Sequence, residues 1–133
     1  MSYEDLVARA LAARAGTYSP YSNYAVGAAV LTSDGRVFTG ANVENASYGL
    51  SVCAERAAIL AAVNAGARQH SAVAVATSTS PPAAPCGVCR QTMAEFAEDD
   101  MPIVLVNDRG ERTDTSLAKL LPHAFRKRDL IKK

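Results

Sequence analysis

The tightest condition on how this chain folds comes from its three cysteines: Cys53 in "SVCAERAAIL", and Cys86 and Cys89 in "APCGVCRQ". Each stretch reads as a loop that reaches a cysteine and passes into a helix. Cys86 and Cys89 lie one turn apart at the start of theirs and so share a face. A helix N-terminus favours negative charge, because its first backbone N–H groups are free and its peptide dipoles align. A thiol placed there ionises readily. Helices that follow neighbouring strands of one sheet can bring these two starts together. Three soft thiolates would then converge, which is the donor set that zinc favours.

The remaining sequence supplies such a sheet. Ser2 with Asp5 three residues on marks a helix start, and "YEDLVARALAARA" repeats apolar residues at helical spacing up to Gly16. "GTYSPYSNY" is a loop by its Gly, Pro, Ser and Asn content. "AVGAAVLT" and "VFTGAN" read as a hairpin turning at Asp34-Gly35. "VENASYGLS" is loop again, with Ser51 a candidate N-cap for the helix "VCAERAAILAAVNAG" that Gly66 closes. "SAVAVATS" is a strand, "TSPPAAP" a proline-rich loop, and "CGVCRQTMAEFAED" a helix opening on its cysteines. "PIVLVN" is a strand whose near-continuous apolar run predicts cover on both faces. "NDRGE" is a hairpin turn, "SLAKLL" a short helix, and Pro122 begins an irregular tail. The order α-β-β-α-β-α-β-β-α predicts an α/β fold, one sheet sandwiched by helices. At 133 residues the expectation is a single domain, 1–133.

Composition excludes some functions. The formal net charge of +1 gives no general attraction to nucleic acid, and the basic tail "FRKRDLIKK" reads as a solvated end. No stretch approaches the length of a membrane span. "MSYEDLVARA" carries acids where a secretory signal carries base followed by an apolar run. A reducing, cytoplasmic location is therefore expected, where an odd number of cysteines favours metal binding or catalysis over disulfides.

Counting ligands separates structure from catalysis. A closed structural zinc site takes four protein ligands, but the chain has no fourth cysteine, and His70 and His123 lie outside both helix starts. Three ligands leave one position for water, the pattern of a catalytic zinc. A redox pair at Cys86 and Cys89 is the alternative, and it leaves Cys53 idle. The nearly all-apolar helix from Val52 to Ala65 carries only two charges, Glu55 and Arg56. Glu55 either answers the helix dipole or serves as the acid and base for a metal-activated water. Three thiolates on one divalent ion leave a net charge of −1, so Arg56 or Arg90 beside the sulfurs would restore some of the metal's acidity.

"CAE" followed by "PCGVC" resembles the zinc deaminase signature, in the variant with cysteine as first ligand. "YSPYSNYAVGAAV", "GANVENASYG", "CAERAAI", "PCGVCRQ" and "LLPHAF" together resemble, in order and spacing, the small homotetrameric cytidine deaminases. That resemblance implies a three-layer α-β-α fold around one central mixed sheet and one Zn2+ per subunit, held by Cys53, Cys86 and Cys89. It implies hydrolytic deamination of cytidine and 2′-deoxycytidine to uridine and 2′-deoxyuridine with release of ammonia, a step of pyrimidine salvage. Glu55 would shuttle the proton, the Ala54 N–H would donate to the base carbonyl, and Asn42 and Glu44 would hold the ribose 3′-hydroxyl. Tyr24 stands where the family usually carries a phenylalanine near the nucleoside. Phe125 would reach from a neighbouring subunit to stack on the base, and Arg56 and Arg90 would back the sulfurs.

Three rivals remain. One is a deaminase of another cytosine compound, such as the related blasticidin deaminases. Another is an editor of cytosine in a polynucleotide, which the near-neutral charge disfavours. The third is a non-enzymatic zinc or redox module, which would be indifferent to Glu55→Gln.

Overall fold

The hairpin forms as the turn chemistry requires: β1 (Gly27–Thr32) and β2 (Val37–Ala41) pair antiparallel. Gly35 sits at φ 89° in the turn between them, a left-handed conformation that glycine adopts without strain. The computed structural model describes residues 3–130. Three more strands, β3 (His70–Thr77), β4 (Pro102–Asn107) and β5 (Arg112–Ser116), complete a five-stranded sheet in the order β2-β1-β3-β4-β5. β3 and β4 run parallel and every other neighbouring pair is antiparallel, so the sheet is mixed.

Alternation along the strands builds two cores. Val30, Val73, Val75, Ile103 and Leu105 point to one face, where they meet Ala54, Ala58, Ile59 and Met93. These belong to α2 (Ala54–Asn64) and α3 (Gly87–Phe96), with Leu117 of the short α4 (Leu117–Leu120) beside them. The opposite face presents Ala29, Ala72, Ala74 and Ala76 to Leu6 and Ala10 of α1 (Glu4–Ala13). Helices thus cover both faces in three layers, and β4 is buried along nearly its whole length, as its apolar run predicts.

Glycine sets how closely two helices approach. A Cβ on Gly27 would lie 2.1 Å from the Ala10 carbonyl oxygen in α1, and one on Gly40 would lie 2.5 Å from the Ala58 nitrogen in α2. Both packings therefore exclude a side chain at those positions.

Three local expectations need correction or limits. Ser2 lies outside the described residues, and the N-cap of α1 is Tyr3, at φ 59° and without a side-chain cap. The N-cap of α2 is Cys53, not Ser51. The Ser51 hydroxyl instead accepts from the Asn45 N–H at 3.1 Å, so it closes the preceding loop. The tail after Pro122 is not wholly irregular, since Lys127–Leu130 forms one helical turn, α5. Among the described residues no helix is long and apolar enough to cross a membrane.

Candidate active site

α2 and α3 lie on the same face of the sheet and begin at Cys53 and Cys86. Their N-termini meet there. The Cys53 and Cys86 sulfurs are 3.8 Å apart and those of Cys86 and Cys89 3.5 Å apart, with all three within 4.8 Å of one another. Zinc–sulfur bonds of about 2.3 Å at tetrahedral angles would place sulfurs about 3.8 Å apart. The three cysteines therefore fit one zinc ion. A two-sulfur redox pair would not require the third.

No histidine joins the group among the described residues. His70 is buried instead, with Nε2 2.9 Å from the Ala67 carbonyl and its ring packed on Phe96. Three donors, and not four, is the arrangement that leaves a coordination position open.

The electrostatics match this geometry. The neighbouring Cys89 sulfur, aided by Cys86 and Arg56, lowers the Cys53 thiol to about 5. Proximity to Cys53, together with burial, pushes the Cys89 thiol upward. One sulfur is thus ready as a thiolate, and a cation displaces the remaining protons. Arg56 Nη2 donates to the Ser51 carbonyl at 2.9 Å, while its Nε is buried with no partner. A buried cationic group beside Cys53 suits a site that carries negative charge. Arg90 behaves differently. Its Nε donates to the Pro85 carbonyl and its Nη1 to the Leu120 carbonyl, both at 2.7 Å. It braces the loop entering Cys86 and makes no hydrogen bond to a sulfur.

Beside the sulfurs opens a cavity of ≈ 290 Å³, near the lower end of the range for small-molecule sites. It is lined by Cys53, Ala54 and Glu55 at the start of α2, by the polar side chains of Asn42, Glu44 and Tyr24, and by Val26, Val75, Thr77, Ala83 and Ala84 among others. Glu55 is only 5% exposed. Burial raises its carboxyl pKa, and the neighbouring Cys53 charge adds to the shift. A carboxyl in a cavity with a raised pKa is suited to carrying protons.

Glu44 and Asn42 are held by groups the sequence did not single out. Glu44 accepts from the Tyr21 and Ser22 N–H groups at 3.0 and 3.1 Å and from the Ser22 hydroxyl. These bonds, the hydroxyl's first, keep its pKa below the ordinary value. Asn42 Oδ1 accepts from the Val26 N–H and the Thr17 hydroxyl, and Nδ2 donates to the Tyr24 carbonyl. Composition marks "YSPYSNY" only as a loop; that its amides form a socket for Glu44 depends on contacts across the chain.

Phe125 stands apart from the cavity. Its side chain does not line the cavity and the residue is 58% exposed, with its carbonyl accepting from Gln91 Nε2 at 2.7 Å.

Comparison with known proteins agrees with the site. A family model described as the cytidine and deoxycytidylate deaminase zinc-binding region matches residues 1–105, which defines the class. The chain is 47% identical to the cytidine deaminase of Sporosarcina psychrophila, covering 98% of this chain and 96% of that one. It is 45% identical to the cytidine deaminase of Mycobacterium tuberculosis, over 89% of this chain and 85% of the other. The crystal structure of cytidine deaminase from Burkholderia pseudomallei superposes with a TM-score of 0.90 at 50% identity, covering 94% of this chain and 100% of that one. The chain belongs to the cytidine deaminase family.

Proposed function

We propose that this chain, a single domain over residues 1–133, hydrolyses the exocyclic amino group of cytidine and 2′-deoxycytidine. The products are uridine or 2′-deoxyuridine and ammonia, and the reaction serves pyrimidine salvage in the cytoplasm. The supporting observation is a cluster of three sulfurs beside a cavity that Cys53 and the buried Glu55 line.

Cys53, Cys86 and Cys89 would hold the zinc ion. Bound there, zinc supplies the Lewis acidity that brings the deprotonation of water close to neutral pH. Glu55 takes a proton from the attacking water and delivers it to ring nitrogen 3 as the bond from oxygen to carbon 4 forms. It then carries the second proton to the amino group, so that the bond from carbon 4 to nitrogen breaks and ammonia leaves. Burial suits it to both halves, because a raised pKa brings its driving forces for accepting and returning a proton closer together. The Ala54 N–H, in the first turn of α2, belongs to the set without an intrahelical acceptor and would donate to the base carbonyl.

Glu44 is held ionised and rigid by its three donors, leaving lone pairs for the ribose 3′-hydroxyl, with Asn42 beside it. Contacts made at the 3′ position leave the 2′ position unread, which supports the use of both nucleosides. Arg56 would offset the surplus charge of the thiolates, and Arg90 would act indirectly, by bracing the loop into Cys86.

The site would be completed by a homotetramer in which a neighbour's Phe125 stacks on the base. Exposed apolar residues beside Glu44 support subunit contact: Tyr21 packs edge-on against Tyr48, which is 75% exposed, and Leu50 and Val43 lie nearby in sequence. The tail is also fixed for presentation, since Arg126 Nη1 donates to the Ala94 and Ala97 carbonyls at 2.6 and 2.8 Å.

The deciding assay follows the loss of cytidine absorbance for the wild type, for chelator-treated protein and for Glu55→Gln. Turnover by the wild type alone supports the proposal. A zinc-loaded wild type inert toward both nucleosides refutes it.

A further inference from the structure

Residue 24 is pinned on both sides of its α-carbon. Its N–H donates to the Ser22 hydroxyl at 3.1 Å, and its carbonyl accepts from Asn42 Nδ2 at 2.7 Å. Through Ser22 and Asn42 it is tied to Glu44 and to the start of β1. Only the side chain is free to reach elsewhere. It lines the cavity, and its hydroxyl is hydrogen-bonded to the Thr79 hydroxyl in the loop that follows β3.

Thr79 is not a loose partner. Its carbonyl accepts from Asn107 Nδ2 at 3.0 Å, and Asn107, at the end of β4, is 1% exposed. The same amide nitrogen donates to Glu111, which also accepts from the Ser80 hydroxyl, both at 2.5 Å. The buried amide therefore anchors the base of the loop 78–85. That loop carries Ala83 and Ala84 to the cavity wall and runs directly into Cys86.

Among the described residues, no other hydrogen bond joins 17–26 to 78–85. A phenylalanine at position 24 would fill the same space without making this bond. We infer that the Tyr24 hydroxyl is a positioning group, latching the loop 78–85 across the cavity mouth and so fixing the wall formed by Ala83 and Ala84. It acts on substrate binding through the loop, not by touching the reacting atoms. The inference rests on the reading of the cavity as the nucleoside pocket.

A hydrogen bond between two neutral groups contributes roughly a three- to tenfold effect. Tyr24→Phe and Thr79→Val should each raise KM for cytidine by roughly that factor, with kcat altered less than about twofold. Combining them should add nothing, because each removes the same bond. Amide hydrogen exchange at residues 78–80, 83 and 84 should quicken equally in both variants. A KM effect from Tyr24→Phe that Thr79→Val does not reproduce overturns the inference, since the hydroxyl would then be serving the substrate directly. So do additive effects, or unchanged KM and exchange in both variants. Cytidine turnover that survives Glu55→Gln would instead refute the reading of the pocket, and the exchange rates would still decide the latch.

Discussion

Gly40→Ala should damage both stability and catalysis, through one steric contact. The added Cβ would stand 2.5 Å from the Ala58 nitrogen and 2.8 Å from the Ala54 carbonyl oxygen, both backbone atoms of α2 that cannot rotate away. Restoring ordinary contact at about 3.4 Å requires α2 to move off the sheet by about 0.9 Å. Overpacking of this kind costs about 1–3 kcal/mol. The φ of Gly40 is not in the left-handed region, so the penalty is purely one of space. The displaced helix begins at Cys53 and carries Glu55, while β2 leads into Asn42 and Glu44. A shift near 1 Å between the proposed catalytic and binding groups can lower turnover by about 10²-fold. Urea unfolding and kcat/KM for cytidine measure the two consequences, with Gly16→Ala as control, since its nearest neighbour would be the Ala41 Cβ at 3.9 Å. The control should behave as wild type. Stability within about 0.5 kcal/mol of wild type and unaltered kcat/KM for Gly40→Ala would refute the reasoning.

Other perturbations separate the remaining roles. Arg56→Ala should reduce zinc affinity or turnover by about 10–100-fold, and unchanged zinc content with unchanged kcat would exclude charge compensation by this residue. Burial lowers the His70 pKa below its ordinary 6.5, so on acidification the unfolded chain takes up its proton first and the folded state loses stability. The unfolding free energy should therefore fall as pH drops through about 6.5, and His70→Gln, measured in parallel, should flatten that slope; an unchanged slope contradicts the assignment. Phe125→Ala should raise KM by roughly five- to a hundredfold if it stacks on the base. Arg126→Met should raise KM less, and not at all in the Phe125→Ala background. An effect of Arg126→Met that persists there would show that it does not act by presenting Phe125.

The sulfur cluster was legible because its cause is local. Cys53 before one helix start, and Cys86 and Cys89 a turn apart at another, each declare a helix N-terminus without reference to the rest of the chain. Glu55 and Arg56 were legible for a similar reason, as the two charges on an otherwise apolar helix. The exact start of α2 was not. Ser51 has the right chemistry for a cap, but its hydroxyl is taken by the Asn45 N–H, a competition that propensity does not reveal. Partnerships across the chain were hidden for the same reason: the Glu44 socket, the Tyr24–Thr79 bond and the contact that forbids a side chain at Gly40 all join segments brought together only by the sheet. Alanines at 72, 74 and 76 mark a strand, yet only the fold shows that they face α1. Arg90 next to Cys89 invited a role at the sulfurs, but carbonyl groups of Pro85 and Leu120 claim its guanidinium.

X-ray absorption at the zinc edge of the purified protein tests the metal centre most directly. Three sulfur scatterers at about 2.3 Å and one lighter atom at about 2.0 Å are expected, with one zinc per chain. Four protein ligands around the metal, or only two sulfurs, would contradict the account, because no coordination position would then join three cysteines to a site where Glu55 can work on water.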